Sequence, residues 1–156
     1  MKNKAFSLTE LLISITVIFI LAAMIAPNLD AFKQTAQQEA QRIAMYLSNK
    51  MRKVDRERDE LVILFDNANQ NLDRFTLARL YGKGTDIIEI NHRKYYKETP
   101  FKLTSSCKIS SPKEKIFYEH YEIDEPITLT VTDSLKRTCG MEIKTYGRIF
   151  VHEELN

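Results

Sequence analysis

The feature that most constrains this chain is a run of predominantly apolar residues at 11–26, preceded by a short basic leader and one carboxylate, Glu10. An α-helix from residue 6 to residue 26 would rise about 31 Å, close to the hydrocarbon thickness of a bilayer, which is about 30 Å. A charged side chain costs roughly 2.5–3.5 kcal/mol at the centre of a membrane helix and less near its end. The run therefore predicts a membrane-length helix in which Glu10 needs a partner or a function.

Two conventional targeting segments are alternatives. A secretory signal has its small-residue cleavage site after the apolar run, whereas Ala5 lies before the run here and Pro27 closes it. A conventional signal anchor would account for Lys2 and Lys4 through the positive-inside rule. It does not account for Glu10. A conventional single-pass anchored periplasmic protein is kept as the alternative.

The stretch Lys4-Ala-Phe-Ser-Leu-Thr-Glu10 resembles the class III signal of type IV pilins and pseudopilins. The resemblance implies that prepilin peptidase cuts between Ala5 and Phe6, and that the new amino terminus at Phe6 is N-methylated. It also implies that Glu10 pairs in the filament with the amino terminus of a neighbouring subunit. Residues 1–5 would be a cytoplasmic leader and residues 6–27 the transmembrane and assembly helix. Ala5 replaces the Gly that is commoner at this position.

Helical periodicity continues beyond the apolar run. Pro27 removes a backbone donor and clashes with the preceding turn, so we expect a kink there. Apolar residues then recur at steps of three or four, which is typical of one helix face: Leu29, Phe32, Ala36, Ala40, Ile43, Leu47, Met51 and Val54. We predict one long kinked helix from Ser7 to about Arg58, with an amphipathic second half at 28–58.

The rest of the chain, residues 59–156, has the short β-branched and aromatic runs of strands. We predict strands at 61–65 and 74–81 as a hairpin, then at 86–90, 115–123 and 127–132, and a closing hairpin at 140–151 with Tyr146-Gly147 in its turn. A long helix followed by such strands indicates an α+β fold. We predict a pilin-like architecture, in which a long N-terminal kinked helix packs on an antiparallel β-sheet domain.

The order of segments resembles that of the GspH/FimT-like minor pseudopilins. The similar features are Arg42 to Val54 at the end of the helix, the directly following Glu60 to Asp66, and the final Ile-x-x-x-Gly-x-Ile-x-Val segment from Ile143 to Val151. The resemblance implies a minor subunit that primes or caps a filament.

The charge balance argues against a global attraction to nucleic acid. The chain has 23 Lys and Arg, so loss of Lys2 and Lys4 with the leader would leave 21 against 21 Asp and Glu. A local patch for DNA remains an alternative, because basic residues beside aromatic residues suit phosphate contact and base stacking. The candidate contacts are Arg93, Lys94, Lys97, Lys136, Arg137 and Arg148.

The two cysteines, Cys107 and Cys139, predict one disulfide if the domain lies in an oxidising compartment. It would close a loop of about 32 residues and contribute about 3–4 kcal/mol in the chain-entropy model. Two buried thiols are the alternative. The histidines show no ligand spacing with either cysteine, and no catalytic motif occurs, so we predict no metal, no cofactor and no enzymatic activity.

The two resemblances together imply a minor pilin or pseudopilin of a type IV pilus-like or type II secretion filament. Its expected partners are other major and minor subunits, prepilin peptidase, the inner-membrane assembly platform and membrane lipid. We expect it in the bacterial inner membrane, with the amino terminus cytoplasmic and the C-terminal domain periplasmic or extracellular. A DNA-binding pilus-tip subunit for DNA uptake and an anchored periplasmic protein are the alternatives.

Overall fold

The computed structural model describes residues 8–25 and 35–152 of the chain, which fall into two units, 1–33 and 34–156. In the first unit, the described residues form one α-helix, α1, at Leu8–Ile25. The second unit contains helix α2 at Ala36–Glu57 and eleven described strands. We treat each unit by itself. Pro27 and the kink predicted there lie outside the described residues.

Helix α2 begins at a capping box. Its N-cap residue, Thr35, has extended backbone angles, φ −77° and ψ 158°. The Gln38 N–H donates to Thr35 Oγ1 at 3.2 Å, and the Thr35 N–H donates back to Gln38 Oε1 at 3.2 Å. These two bonds satisfy donors that the first helical turn leaves without partners. The prediction of one continuous helix from Ser7 to Arg58 is therefore wrong at Thr35, where the backbone is not helical.

All strand pairs are antiparallel. The strands are β1 Leu61–Leu64, β2 Arg74–Arg79, β3 Ile87–Ile90, β4 Arg93–Lys97, β5 Phe101–Lys102, β6 Cys107–Ser110, β7 Lys115–Glu119, β8 Glu122–Ile123, β9 Ile127–Asp133, β10 Thr138–Ile143 and β11 Ile149–His152. The first sheet has the order β3-β4-β2-β1-β7-β8, with β5 also beside β2, and the second has the order β11-β10-β9-β6. An isolated antiparallel β-bridge pairs Leu72, just before β2 of the first sheet, with Ile109 on β6 of the second sheet.

Helix α2 buries its apolar stripe in the main core. Ala40, Ile43 and Leu47 are fully buried, in the same cluster as inward residues of both sheets, such as Ile63 on β1 and Leu129 on β9. Alternate residues of a strand point to opposite faces, and in β9 the apolar residues are the buried ones. The core therefore lies where α2 meets inward side chains of both sheets.

A smaller apolar cluster lies on the other face of the first sheet. Val62 of β1 and Ala78 of β2 are fully buried there, with Ile90 and Tyr95 from the β3–β4 hairpin. The first sheet is thus apolar on both faces at its centre. This explains why β1 reads as a continuous apolar run instead of an alternating one.

The predicted α+β architecture is confirmed. Strands β4 at Arg93–Lys97 and β6 at Cys107–Ser110 were not among the predicted strands. The single strand predicted at 115–123 is two strands, because the chain reverses at His120 and Tyr121, whose φ angles are 51° and 70°.

Candidate functional site

The most distinctive surface of the described structure is that of α1. All residues from 11 to 20 are exposed, and the side chains of Ile18 and Phe19 are 63% and 70% accessible. Ten consecutive helical residues make nearly three turns, so they cover every side of the helix. A helix that is apolar all round needs an apolar environment, such as lipid or other helices.

Thr16 satisfies its hydroxyl within α1. Thr16 Oγ1 donates to the Leu12 carbonyl oxygen at 2.8 Å, one turn earlier. Such a bond needs neither water nor another chain. It removes a polar cost that an apolar environment would otherwise impose.

The predicted signal residues are only partly covered. Ala5 and Phe6 lie outside the described residues, and Glu10 is the third residue of α1. By length and hydropathy together, no helix among the described residues qualifies as a membrane-crossing segment.

A buried carboxylate, Asp133, supports the start of α2. Its Oδ2 accepts from the Ala36 N–H at 3.4 Å and from Arg137 Nε at 2.7 Å, while its Oδ1 accepts from the Leu135 N–H at 2.9 Å. Burial alone would raise the pKa of Asp133, but the hydrogen bonds from Arg137, Leu135 and Ala36 hold that pKa below its ordinary value. Arg137 is thus part of an internal ion pair.

A second buried carboxylate, Glu39, joins α2 to the first sheet. It is fully buried and accepts from Arg42 Nε at 3.0 Å and from the Thr104 N–H at 3.2 Å. Arg42 also donates to the Lys102 carbonyl at 2.9 Å, and its guanidinium lies 4.5 Å from the centre of the Phe101 ring. These contacts fix the first turns of α2 against the β5 segment.

The end of α2 has a third buried charge pair. Arg79 Nε donates to Asp59 Oδ2 at 2.8 Å, and Arg79 also bonds Glu57 in the last turn of the helix. The Tyr81 N–H donates to the other oxygen of Asp59 at 2.9 Å. The connection from α2 to β1 is therefore held by β2 through charge-assisted bonds.

Sequence reasoning missed these three groups, although the patterns contained a signal. Glu39 lies within the apolar stripe of α2, between Ala36 and Ala40. Asp133 continues the inward alternation of β9, and Arg79 continues that of Phe75 and Leu77 in β2. A charged residue at an inward position indicates a buried partner elsewhere in the chain.

The six basic residues considered for DNA do not form one patch. Lys97 Nζ lies 3.7 Å from Asp86, and Arg93 donates to Glu60 at 2.7 Å, while Lys94 is exposed between them on β4. Lys136 and Arg137 precede β10, and Arg148 follows it, so they lie at opposite ends of a six-residue strand, about 20 Å long. The structure thus groups the β4 residues and separates the other three.

The predicted Cys107–Cys139 disulfide is absent from the structure, where both thiols are buried. Strand β9 runs between the two cysteines, since Cys107 faces Asp133 and Cys139 faces Val131. Two strand spacings separate their Cα atoms by more than about 9 Å, beyond the roughly 7 Å that a disulfide spans. Cys139 Sγ instead lies 2.9 Å from the His152 carbonyl oxygen, as a donor.

Within residues 8–25 and 35–152, no three His, Cys, Asp or Glu side chains are grouped closely enough to hold a metal ion.

Comparison with known proteins assigns the N-terminal segment. Residues 1–26 match the family model of the prokaryotic N-terminal methylation motif. The match contains Ala5, Phe6 and Glu10, and it confirms the predicted prepilin-type signal of type IV pilin-like proteins. No curated protein and no solved structure matches the chain.

Proposed function

We propose that this chain, which carries a type IV pilin-like prepilin signal in residues 1–26, is a minor structural subunit of a pilus or pseudopilus filament. The observation that carries the proposal is the combination of that signal with a helix, α1, whose residues 11–20 are exposed on every side. The methylation signal would direct the processing of the segment. The exposed apolar helix would then be the surface by which the processed subunit packs in the membrane and in the filament.

In this proposal the surface of α1 is covered by two successive environments. Membrane lipid surrounds the helix before assembly, and the corresponding helices of other subunits surround it in the filament. Removal of residues 1–5 frees the amino group of Phe6, and Glu10 of one subunit pairs with that amino group in the next. A buried charge whose partner comes from another subunit sets the register between the two chains.

The second unit supports a structural role. Its three most buried carboxylates, Glu39, Asp59 and Asp133, each accept hydrogen bonds from groups of the same domain. Asp133 holds the start of α2, Glu39 holds its first turns, and Asp59 holds the residues beyond its end. The resulting domain would face outward from the filament and contact neighbouring minor subunits and the assembly platform.

Processing can be tested directly. The full chain would be co-expressed with a prepilin peptidase and its mass measured. We expect loss of residues 1–5 and gain of one methyl group at Phe6. The variant Ala5→Gly should be cut at least as completely, and Ala5→Leu should stay uncut. A wild-type chain that remains intact would support the conventional anchored protein.

The minor role has its own measurement. Filaments would be sheared from cells that express the complete machine, and the subunits counted by quantitative mass spectrometry. A priming or capping subunit should be present at a small fraction of the major subunit, and its deletion should reduce the number of filaments. Equal amounts of the two subunits would contradict the minor role.

A further inference from the structure

The second unit contains an open cleft at the end of α2. It has a volume of about 540 Å³ and lies among three segments: the last turn of α2 with the following residues, the end of β2, and the β7–β8 turn. Tyr81 and Tyr121 line it from two different segments and are 71% and 60% exposed. We call it the tyrosine cleft. Two exposed aromatic rings in one concavity are typical of an interaction site, where Tyr is enriched.

The two residues of the β7–β8 turn have a strained backbone conformation. The turn has two residues, since Glu119 pairs with Glu122 across it. His120 and Tyr121 both have positive φ, 51° and 70°, a geometry for which Asn-Gly is the favoured sequence. A chain selected for stability alone would place small or amide residues there, so the His and Tyr side chains indicate a use for the cleft.

The charges of the tyrosine cleft favour a cation. Four carboxylates line it, and two of them are neutralised by the domain itself: Asp59 by Arg79 and Glu60 by Arg93. Asp55 accepts only the Tyr118 hydroxyl, at 2.9 and 3.0 Å, and has no cationic partner among the described residues. Glu119 lies 3.3 Å from the exposed ring of His120.

The single guanidinium that lines the cleft belongs to Arg58, which is exposed. It offsets one of the two remaining carboxylates, so the cleft keeps one negative charge in excess. Asp55 and Glu119, together with the tyrosine rings, offer both kinds of contact that a cationic side chain uses, the charge-assisted hydrogen bond and the cation–π contact.

We propose that the tyrosine cleft binds an arginine or lysine side chain presented by a partner protein. The rings of Tyr81 and Tyr121 contact the cation, and the carboxylates of Asp55 and Glu119 accept its N–H groups. Arginine fits better than lysine, because its planar guanidinium stacks on aromatic rings and bonds carboxylates through two donors. This inference is independent of the prepilin signal and of filament assembly.

The test uses the full chain in detergent and a fluorescein-labelled peptide with three arginines separated by Gly-Ser pairs. We expect saturable binding by fluorescence anisotropy, weakened by added salt. A matched peptide with citrulline in place of arginine keeps the shape and removes the charge. It should bind at least about tenfold more weakly, which corresponds to 1.4 kcal/mol.

Two variants separate binding from folding. The double variant His120→Asn, Tyr121→Gly installs the favoured turn sequence, so the domain should melt at a higher temperature while the affinity falls at least about tenfold. The variant Asp55→Asn should also lose affinity. The control is His92→Gly in the other two-residue turn, where Asn91 and His92 have φ of 52° and 62°. It relieves similar strain and should leave the affinity within about twofold.

Four results would overturn the proposal. They are absence of binding at millimolar peptide, equal affinity for the citrulline peptide, unchanged affinity of the His120→Asn, Tyr121→Gly protein, and an equal loss of affinity in His92→Gly. Processing of the chain by prepilin peptidase is unaffected by any of these results, so failure here and failure of the filament role are distinguishable.

Discussion

Arg79 donates from Nε to Asp59 at 2.8 Å, and both residues are more than nine-tenths buried. The variant Arg79→Leu would leave the Asp59 carboxylate buried without its cation. We expect the free energy of unfolding to fall by about 3–5 kcal/mol, measured by urea titration followed by circular dichroism. In the control Arg74→Leu, at the exposed end of the same strand, the Asp73 pair is on the surface and its loss should change stability far less. Similar losses in both variants would contradict the role of the buried pair.

Asp133 predicts acid sensitivity. Its pKa in the folded protein is below the ordinary value of 3.8, despite burial, because of the hydrogen bonds it accepts. A lowered folded pKa stabilises the fold above the unfolded pKa, and that stabilisation is lost as the pH falls through the folded pKa. The wild type should therefore lose this stabilisation as the pH falls below about 4. Asp133→Asn should be less stable at pH 7 and show a shallower decline in melting temperature on acidification. Parallel curves for the two proteins would contradict this.

Gly147 is required by its backbone and by its neighbour. Its φ is +68°, and an added Cβ would lie 2.5 Å from Cε2 of the Tyr118 ring. We expect Gly147→Ala to lower the free energy of unfolding by more than about 1 kcal/mol. The control is Gly140→Ala, since a Cβ there would meet its nearest atoms at 3.9 Å without a positive φ. It should be close to neutral, and equal effects at the two sites would exclude the Tyr118 contact as the cause.

The capping box at Thr35 predicts a loss when its side chain is removed. Thr35→Ala should destabilise the domain by about 1 kcal/mol, because the Gln38 N–H loses its acceptor. Thr35→Ser keeps the acceptor and should retain most of the stability. Gln41→Ala, at an exposed position of α2, should change stability by less than about 0.5 kcal/mol. Thermal unfolding of the three variants ranks them, and equal melting of Thr35→Ala and Gln41→Ala would refute the cap.

Glu10 predicts an assembly defect without a folding defect. In the proposed filament, Glu10→Ala leaves the Phe6 amino group of the neighbouring subunit without its carboxylate. We expect normal membrane insertion and normal melting of the domain, but loss of the chain from sheared filaments by immunoblot. Glu10→Asp keeps the charge and should restore part of the incorporation. Wild-type incorporation of Glu10→Ala would contradict the pairing.

The parts of the fold that repeat along the chain could be predicted from sequence. The stripe from Ala36 to Val54 is buried as its spacing predicts, and Ile127, Leu129 and Val131 face the core. Periodicity does not record where a helix is interrupted, so the break at Thr35 was missed, although Thr followed three residues later by Gln is a capping-box pattern. Strand β4 was missed because Arg-Lys-Tyr-Tyr-Lys has no apolar alternation, and its pairing with β2 and β3 decides its structure.

The candidate site likewise has a part that the sequence predicts and a part that it does not. The N-terminal signal is a local motif, and the family comparison confirms it without help from the fold. The partners of Glu39 and Asp133 are far away in sequence, and the distance between Cys107 and Cys139 depends on the order of strands in a sheet. Such relationships need the topology, which spacing along the chain does not contain.

Helix α2 depends on strands that come much later in the chain. The Ala36 N–H, which has no acceptor within the helix, donates to Asp133. The buried face of α2 packs on β9, β10 and β11. During synthesis from the amino terminus, α2 leaves the ribosome before these strands have been made. Its apolar stripe therefore stays uncovered in that interval, and the domain can close only when β9, β10 and β11 are complete. A chaperone that holds apolar segments would act in that interval.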